Sequence, residues 1–457
     1  MLNGLFEARR VAVIGVSSRS SNLGRVIISN MHKFRFQGEV LAVGHQGGET
    51  EFGPIYKTLD EVPGQVDLAV VMVPARFVLE TIEACGRKGV PWAVISSAGF
   101  GELGGEGLEM QRRVLETARR YGTRFIGPNC LGVTDWVSGL TTSFASVPLY
   151  SLNRGPVSVI SQSGGVADAI SSFISELSLG LNKFISIGNS VDVDEVDCLT
   201  HLAEDPSTKV ICMYLEGIWR GRKLLEAARR CHKPILMIKA NRSTSGARAA
   251  QSHTAALASN ERVVEAALAQ SGVVRVNGIR SMALASAALL LPKMQGNRVA
   301  AMSLSGGLSV ILADLCEELG FSLPLLDQDL LDDIEAGSRA GIIRLTNPLD
   351  TGDIFDNKLF VETVRRVISL PYIDAMIVAF PLRDSRPGET TRSESYHVAR
   401  GIVEISRSVG KPIALSKMPS PKPIAGLMRD LEFPVFSDPE EATRALGVLW
   451  RYSQLSR

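Results

Sequence analysis

The feature that most limits how this chain can fold is a local pattern that occurs three times. Each occurrence is a short apolar run, then a turn of small residues, then a stretch with helical periodicity. The apolar runs are Val11–Gly15, Val157–Ser161 and Val299–Leu304, and their turns read GVSS, SQSGG and SLSGG. Short strands that alternate with helices form parallel sheets with helices on both faces, because parallel neighbours need a long crossover. The sequence therefore predicts an α/β protein made of three such blocks.

Turn residues interrupt the pattern at two places, near Val137–Arg154 and near Pro292–Asn297. A chain of 457 residues also fits about three domains of ordinary size. We therefore expect domains at residues 1–145, 146–292 and 293–457. The first resembles a Rossmann-like nucleotide-binding domain, with its opening helix at about Asn22–Lys33, and the third resembles a flavodoxin-like domain.

Composition excludes several classes of protein. The formal charge is +1 without a basic block, so neither nucleic acid nor an anionic membrane surface is an expected partner. The six cysteines are scattered without a C-x-x-C pair, which predicts reduced thiols and neither a disulfide framework nor a zinc site. The first residues carry no apolar signal core, and the longest apolar run is too short to cross a bilayer. We expect a cytoplasmic protein.

The first block has a phosphate-type glycine turn but lacks the dinucleotide fingerprint. Gly15 is followed by Val16, Ser17 and Ser18, so the G-x-G-x-x-G spacing is missing. The second strand ends in VGHQGG, without the acidic residue that binds a ribose diol. An NAD-dependent oxidoreductase is therefore disfavoured, whereas another adenine ligand that bears phosphate is compatible. The alternative is that these glycines serve only tight turns.

The second block places two hydroxyls and two glycines, Ser161–Gly165, between a strand and a helix. A helix N-terminus offers unpaired N–H groups and partial positive charge, so this turn suits a small oxyanion. An ordinary helix cap is the alternative. Downstream, Gly188–Asp197 carries four acidic residues. They fit a divalent cation site or a solvated loop with a helix start, and we favour the loop.

Two residues further along can carry covalent chemistry. Glu216 follows the predicted strand Val210–Leu215, at the carboxyl end where open α/β sheets place their sites. His253 lies in QSHTAALAS, at the start of an alanine-rich run that we expect to be helical. An imidazole there can take up and release a phosphoryl group, and a carboxylate can fix its tautomer. The plainer interpretation is a surface carboxylate and a histidine that caps or packs.

The third block repeats the plan in SLSGGLSVILADLCEELG and continues with NPLD, Asn347–Asp350. Its glycine turn can equally serve packing alone. We expect its further strands at Ala375–Phe380 and Ile413–Lys417.

Together these motifs resemble one family, the α subunits of NDP-forming acyl-CoA synthetases. That family includes the ADP-forming acetyl-CoA synthetases and, more distantly, the succinyl-CoA synthetases. The matching stretches, in chain order, are VAVIGVSS, VPARFVLETIEACGRKGV, ISSAGFGELGGEG, FIGPNCLGV, SVISQSGGVA, SIGNSVDVDEVD, YLEGI, QSHTAALAS and NPLDTGD. The resemblance implies a Rossmann-like CoA-binding domain followed by two flavodoxin-like doubly wound parallel-sheet domains, the first of which is the ligase domain.

The resemblance also implies a reversible reaction and a role for each matched residue. Acyl-CoA and phosphate give acyl phosphate and CoA, the acyl phosphate phosphorylates His253, and the phosphohistidine passes its phosphoryl group to ADP. Glu216 would orient His253. The phosphate-binding residues would be Ser161, Gln162, Ser163, Gly164, Gly165 and Ser252. The CoA-binding residues would be Gly15, Ser17, Ser18, Gln46, Val73, Pro74, Ser97, Asn129 and Cys130.

The chain departs from the family pattern in three respects. Gly44, His45 and Gln46 stand where the family has proline and lysine, so a basic contact to CoA is lost, although His45 can replace it in part. Asn241 occupies a position where glycine is usual. The three blocks leave no room for an ATP-grasp domain, so we expect a separate β subunit that binds ADP or ATP with Mg²⁺ in an α2β2 complex. The alternative is a catalytically silent protein that binds CoA or acyl-CoA for regulation.

Overall fold

The computed structural model describes residues 2–145, 153–177, 179–243, 245–246, 260–337, 344–354, 356–382, 394–418 and 430–455. Within these ranges the strands form three mostly parallel sheets, which confirms the predicted α/β class. The chain divides into two compact units. The first is Met1–Ser175 with Gly180–Ile279, and the second is Glu176–Leu179 with Arg280–Arg457.

The first sheet contains seven of the described strands, in the order β3-β4-β2-β1-β5-β6-β7. Its strands are β1 Arg10–Ile14, β2 Glu39–Val43, β3 Gly48–Thr50, β4 Gly53–Tyr56, β5 Leu68–Val71, β6 Trp92–Ile95 and β7 Arg124–Ile126. Only the β3–β4 pair is antiparallel among these seven. The accompanying helices are α1 Asn3–Phe6, α2 Leu23–Lys33, α3 Val78–Arg87 and α4 Gly105–Tyr121.

Asn22 begins α2 and ties it to the preceding strand. Its side-chain oxygen accepts a hydrogen bond from Arg25 N at 3.1 Å, and its Nδ2 donates to Gly15 O at 3.0 Å. Gly15 has φ +104°, and a Cβ there would lie 2.1 Å from Met72 O. Only glycine fits this turn, which confirms the predicted boundary between strand, turn and helix.

The second sheet contains six of the described strands, in the order β13-β12-β11-β9-β10-β8. Its strands are β8 Gly132–Asp135, β9 Arg154–Ser161, β10 Leu181–Ser186, β11 Val210–Leu215, β12 Ile235–Lys239 and β13 Val273–Arg275. Its helices are α5 Gly164–Glu176, α6 Glu195–Glu204, α7 Gly221–Arg230 and α8 Glu261–Gln270. The next helix, α9 Ile279–Ala288, belongs almost entirely to the second unit. β8 precedes the predicted boundary at residue 145 but pairs antiparallel with β10, so the division of this unit into two domains stays a prediction.

The first and second sheets share one hydrophobic core. Val11 and Val70 of the first sheet belong to the same buried cluster as Ile160, Ile185 and Met213 of the second. Burial of a continuous apolar cluster is the main stabilising term of such a unit. The two sheets therefore hold the ends of their strands in fixed positions relative to each other.

The second unit contains the third sheet, in which five described strands run parallel in the order β15-β14-β16-β17-β18. These strands are β14 Val299–Ser303, β15 Leu349–Asp350, β16 Ala375–Phe380, β17 Ile413–Lys417 and β18 Val435–Phe436. Its helices are α10 Gly306–Glu318, α11 Gln328–Glu335, α12 Asn357–Ile368, α13 Glu394–Val409 and α14 Pro439–Leu455. The predicted strands at Ala375–Phe380 and Ile413–Lys417 are confirmed.

The acidic run Gly188–Asp197 contains a helix start, as expected, but it is not solvated. Asp194 caps α6 by accepting hydrogen bonds from Val196 N at 2.9 Å and Asp197 N at 3.1 Å. The side chains of Asp192 and Asp194 are only 10% and 12% exposed, and Glu195 is buried. The prediction of a solvated loop is therefore wrong, because backbone N–H groups and arginines compensate these two aspartates. Among the described residues, no group of three or more His, Cys, Asp or Glu could hold a metal ion.

Two structural findings concern the cysteine thiols and the question of a membrane-spanning helix. All six cysteines are free thiols. Burial raises the pKa of the Cys85 and Cys130 thiols to about 12, so both stay protonated and unreactive at neutral pH. No helix in the described ranges has the length and apolar character needed to cross a bilayer.

Candidate functional site

The turn between β9 and α5 is held in shape by its own serines. Ser161 Oγ donates to Ser163 O at 2.6 Å and accepts from Ser163 N at 3.1 Å. Gly164 and Gly165 then begin the helix, where the first N–H groups have no intrahelical partner. Positive helix-dipole charge and free N–H groups at this position favour an oxyanion. Ser161 itself is buried, and its hydroxyl is used within the turn.

Gln162 links this turn to the end of the neighbouring strand. Its Oε1 accepts from Glu216 N at 2.6 Å and from Gly217 N at 3.0 Å. Its Nε2 donates to Gly217 O at 3.0 Å, and its backbone N donates to Tyr214 O at 3.1 Å. One amide side chain therefore sets the distance between the glycine turn and the backbone of Glu216.

Glu216 follows β11 directly, and its side chain is buried. Tyr214 Oη donates to Glu216 Oε1 at 3.3 Å. Lys239 is 3% exposed, and its amino group donates to Glu216 O at 2.8 Å and to Ala240 O at 2.7 Å. Burial lowers the pKa of Lys239 from its ordinary value. Lys239 was missed as a site residue, although a charge at the end of an otherwise apolar strand was the available signal.

These elements line a cleft of about 620 Å³ in the first unit. Of the predicted site residues, the cleft brings together Asn129, Gln162, Ser163, Gly164, Gly165 and Glu216. Polar groups from the first sheet, from the α5 turn and from the end of β11 therefore face one space. A phosphate at the helix N-terminus and a group held by Asn129 would share it.

Glu102, Gln111 and Asn189 also line the cleft, and they are among the lining residues that were not predicted. Asn189 Nδ2 donates to Glu102 Oε2 at 2.6 Å and to Gln111 Oε1 at 3.0 Å. Burial opposes ionisation of Glu102, but hydrogen bonds from Asn189 and from backbone N–H groups hold its pKa below the ordinary value. Glu102 lies in the sequence motif GFGELGGEG and Asn189 lies in GNS, but nothing in the sequence shows that their side chains meet.

Asn129 follows the cis Gly127–Pro128 bond and has φ +58°. Its backbone N donates to Ser97 O at 2.9 Å, and Ser97 Oγ donates to Val73 O at 2.5 Å. Cys130 turns away from the cleft, since it is buried with its Sγ 3.3 Å from Ile95 O. Ser97 and Cys130 therefore hold this segment to neighbouring strands, and their contact with CoA stays a prediction.

The predicted CoA phosphate loop lies at a separate cavity of about 450 Å³, at the N-terminus of α2. Ser17, Val73 and Pro74 line it, together with Arg19, which was not predicted. Ser18 is fixed nearby because Arg25 Nη1 donates to its carbonyl oxygen at 2.6 Å. Gln46 is exposed on the loop after β2, and Gly15 directly follows β1. An anion at this helix N-terminus would have the arginine as a further partner.

His253 and Ser252 lie outside the described residues. The chain approaches them from the end of β12, which pairs in parallel with β11 and aligns Lys239 with Leu215. Asn241 has φ +66°, a left-handed conformation that asparagine tolerates. Glycine adopts this conformation freely, so Asn241 fits a position where the resemblance predicts glycine. The backbone leaves the sheet beside Glu216.

Two domain families match the chain. The family described as CoA binding domain matches residues 9–135, and the family described as Succinyl-CoA ligase like flavodoxin domain matches residues 154–289. The first matched range contains the first sheet together with β8, and the second contains the other strands of the second sheet.

Full-length relatives match as well. The α subunit of ADP-forming acetate–CoA ligase I from Pyrococcus furiosus is 33% identical over 466 residues, covering 99% of this chain and 98% of that protein. The α subunit of ligase II from the same organism is 35% identical over 415 residues, covering 90% and 89%. A solved structure of the dinucleotide-forming acetyl-coenzyme A synthetase 1 of Candidatus Korarchaeum cryptofilum, in complex with phosphate and ADP, superposes with a TM-score of 0.87. It is 29% identical, and the match covers 100% of this chain and 97% of that one.

Proposed function

The chain belongs to the family of ADP-forming acetate–CoA ligase α subunits, and we propose that it catalyses the CoA- and phosphate-dependent half of an ADP-forming acyl-CoA synthetase reaction. It is thus an acid–thiol ligase subunit that uses CoA as a substrate. The observation that carries the proposal is the cleft in which the α5 N-terminus, Glu216 and Asn129 face one another.

In the first step, inorganic phosphate binds at the α5 N-terminus, against Ser163, Gly164 and Gly165. An oxygen of hydrogen phosphate attacks the thioester carbonyl carbon of acyl-CoA, the C–S bond breaks, and CoA leaves as the thiol with the proton that the phosphate gives up. Fixed N–H groups around the phosphate and the developing oxyanion lower the barrier without reorganisation. Ser161 and Gln162 keep this turn in position, and the hydroxyl of Ser252 donates a further hydrogen bond to the phosphate.

In the second step, an imidazole nitrogen of His253 attacks the phosphorus of the acyl phosphate. The bond between phosphorus and the acyl oxygen breaks, and the acid leaves as a carboxylate. Glu216 accepts a hydrogen bond from the other imidazole nitrogen, which fixes the tautomer and stabilises the cation that forms. Its buried position strengthens this interaction, since the local dielectric constant is low.

In the third step the phosphoryl group passes from His253 to ADP. We assign the nucleotide and its Mg²⁺ to an ATP-grasp β subunit in an α2β2 complex. The relatives from Pyrococcus furiosus, which cover nearly the same length, are themselves named α subunits. CoA would bind with its phosphates at the cavity by Ser17 and Arg19 and its thiol end toward Asn129.

The test is reconstitution of the reaction. The chain is mixed with an ATP-grasp β subunit, ADP, Mg²⁺ and phosphate, and a panel of acyl-CoA thioesters is supplied. We expect equal amounts of free thiol and ATP. His253→Ala should abolish ATP formation, whereas His232→Ala, which alters an exposed histidine, should leave it intact. CoA binding without any turnover by the complete mixture would instead support the regulatory protein.

A further inference from the structure

We propose that Glu102, Gln111 and Asn189 are positioning residues that lock the side-chain amide of Asn129 with its oxygen toward the cleft, where it accepts a hydrogen bond from a donor at the thiol end of CoA. The inference deepens the proposed function, on which it rests.

The orientation of these amide groups is set first by Glu102, whose carboxylate can only accept hydrogen bonds. Its Oε1 accepts from Gly99 N at 2.6 Å and Phe100 N at 3.1 Å, and its Oε2 accepts from Asn189 at 2.6 Å. The hydrogen bonds from Asn189 and the backbone, acting against burial, keep this carboxyl ionised at neutral pH. The Asn189 atom that faces Glu102 must therefore be its NH₂ group.

Gln111 fixes the same orientation independently. Its Oε1 accepts from Gly101 N at 3.2 Å, so the atom at that position is the oxygen. The same oxygen accepts from Asn189 Nδ2 at 3.0 Å. Both protons of the Asn189 amide are then used, and Asn189 Oδ1 must point away from Glu102 and Gln111.

The orientation of the Asn189 amide in turn determines the orientation of the Asn129 amide. Asn129 Nδ2 donates to Asn189 Oδ1 at 3.3 Å. The oxygen and nitrogen of an amide lie on opposite sides of its carbon, so Asn129 Oδ1 is turned from Asn189. The two segments are also held close together, because Gly188 has φ +53° and a Cβ there would lie 2.3 Å from Pro128 O. Asn129 Oδ1 is left as the amide atom available to a ligand in the cleft.

An acceptor at this position selects the ligand chemistry. It repels a phosphate oxygen and attracts an N–H or S–H group, so it divides the cleft into two ends. The α5 N-terminus supplies donors for phosphate, and Asn129 supplies an acceptor for the thiol end of CoA. CoA offers two donors there, the thiol S–H and the nearest amide N–H. Holding both reactants in one cleft is what attack of phosphate on a thioester requires.

The test is a double-mutant cycle between Glu102→Gln and Asn129→Asp, read out as the KM and the Kd for CoA. In Glu102→Gln the side-chain oxygen keeps the backbone hydrogen bonds, so its NH₂ opposes that of Asn189. Rotated by half a turn, the Asn189 amide satisfies the new NH₂ group but sets its oxygen against Gln111 Oε1. Asn189 therefore no longer holds one orientation, and Asn129 presents NH₂ to the cleft in part of the molecules. We expect KM and Kd for CoA to rise several-fold, up to about tenfold, the effect of losing one hydrogen bond to a ligand.

Asn129→Asp alone sets a carboxylate against Asn189 Oδ1 and should raise both constants by a similar factor. In the Glu102→Gln background the same change is compensating, because the aspartate accepts from the rotated Asn189 and still offers an acceptor to CoA. We expect the double variant to bind CoA more tightly than either single variant. A residue that only stabilised the fold would give additive losses instead.

Two further variants keep the test decisive. Glu109→Gln makes the same chemical change at an exposed position of α4 and should leave both constants unchanged. If Glu102→Gln does not fold, Asn189→Ala replaces it. We expect Asn189→Ala to raise the Kd for CoA and to remove most of the penalty of Asn129→Asp.

Desulfo-CoA, in which hydrogen replaces the thiol, distinguishes the two donors. If the Glu102→Gln penalty disappears with desulfo-CoA the donor is the thiol, and if it persists the donor is the amide. Additive losses in folded variants, or an unchanged Kd in Glu102→Gln, would overturn the inference and leave the proposed function intact. Failure of the wild-type chain to bind CoA would overturn both.

Discussion

At the scale of single residues, Gln162 is the side chain on which the geometry of the cleft depends most. It makes three hydrogen bonds to the backbone of Glu216 and Gly217. Gln162→Leu leaves two backbone N–H groups and one carbonyl without this partner, so we expect a loss of about 2–3 kcal/mol in unfolding free energy. The catalytic rate should fall as well, because Glu216 is no longer held at a fixed distance from the glycine turn.

Urea denaturation and steady-state kinetics measure these two effects. Gln270→Leu, at an exposed helix position, is the matched control and should change neither. Full activity in Gln162→Leu would show that the turn is positioned by other contacts.

Glu195 gives the chain a pH-dependent stability. Burial raises its pKa to about 7 from the ordinary 4.5, and both carboxylate oxygens are buried without a hydrogen-bond partner among the described residues. Between these pH values the unfolded state has lost the proton and the folded state keeps it, so stability falls as the pH rises to about 7 and is level above it. The term is at most about 3 kcal/mol, since one pH unit between the two pKa values corresponds to about 1.4 kcal/mol.

Glu195→Gln removes this term. Relative to the wild type, the variant should therefore gain stability between pH 5 and pH 8, measured by chemical denaturation at both values. Glu204→Gln, at the exposed end of the same helix, should show no such gain. An equal difference at both pH values would mean that Glu195 is ionised in the folded protein throughout.

At the scale of elements, the two glycine turns of the second and third sheets give a matched comparison. A methyl group at Gly165 or at Gly307 would meet nothing within 4 Å, so alanine fits both helix starts. We expect each substitution to preserve or raise stability, by up to about 1 kcal/mol. Gly165→Ala should also weaken phosphate binding several-fold, because its methyl group enters the cleft, whereas Gly307→Ala should leave catalysis unchanged.

The apparent KM for phosphate and the thermal midpoint of each variant measure this. Reduced phosphate affinity in Gly307→Ala would contradict the view that the third turn serves packing alone. It would assign a phosphate to the second unit.

The elements themselves could be predicted closely from the sequence, and the side-chain network could not. Strand β11 begins and ends at the predicted residues, and helix α2 begins one residue after the predicted start at Asn22. Apolar runs and caps are local signals, so they are readable in order along the chain. The Asn189–Glu102 contact joins positions 87 residues apart, and only the shared core of the two sheets brings them together.

The burial of Asp192 and Asp194 was missed for a similar reason. An acidic run is usually solvated, but here distant partners compensate it. Arg220 Nη1 donates to Asp194 at 2.6 Å, and Arg124 Nε donates to Asp192 at 2.7 Å. Neither arginine is near in sequence, so no local pattern reports the pairing.

At the scale of the whole molecule, the proposed reaction needs two chains, because this chain handles CoA and phosphate and a separate subunit binds the nucleotide. We expect the chain alone to form the phosphoryl adduct from acyl-CoA and phosphate, and to form ATP from ADP only when the ATP-grasp subunit is present. Light scattering after size-exclusion chromatography of the mixture should give the mass of an α2β2 complex. ATP formation by the chain alone, or separate elution of the two chains, would contradict this.

Intact-mass spectrometry can show whether His253 carries the phosphoryl group. The purified chain is mixed with phosphate, Mg²⁺ and a small panel of acyl-CoA thioesters, and its mass is measured before and after acid treatment. We predict an acid-labile increase of one phosphoryl group that maps to His253, is absent in His253→Ala and persists in His232→Ala. A chain that binds CoA but stays unmodified with every thioester, even with the ATP-grasp subunit present, would show that His253 is not a phosphoryl carrier and would support a regulatory role.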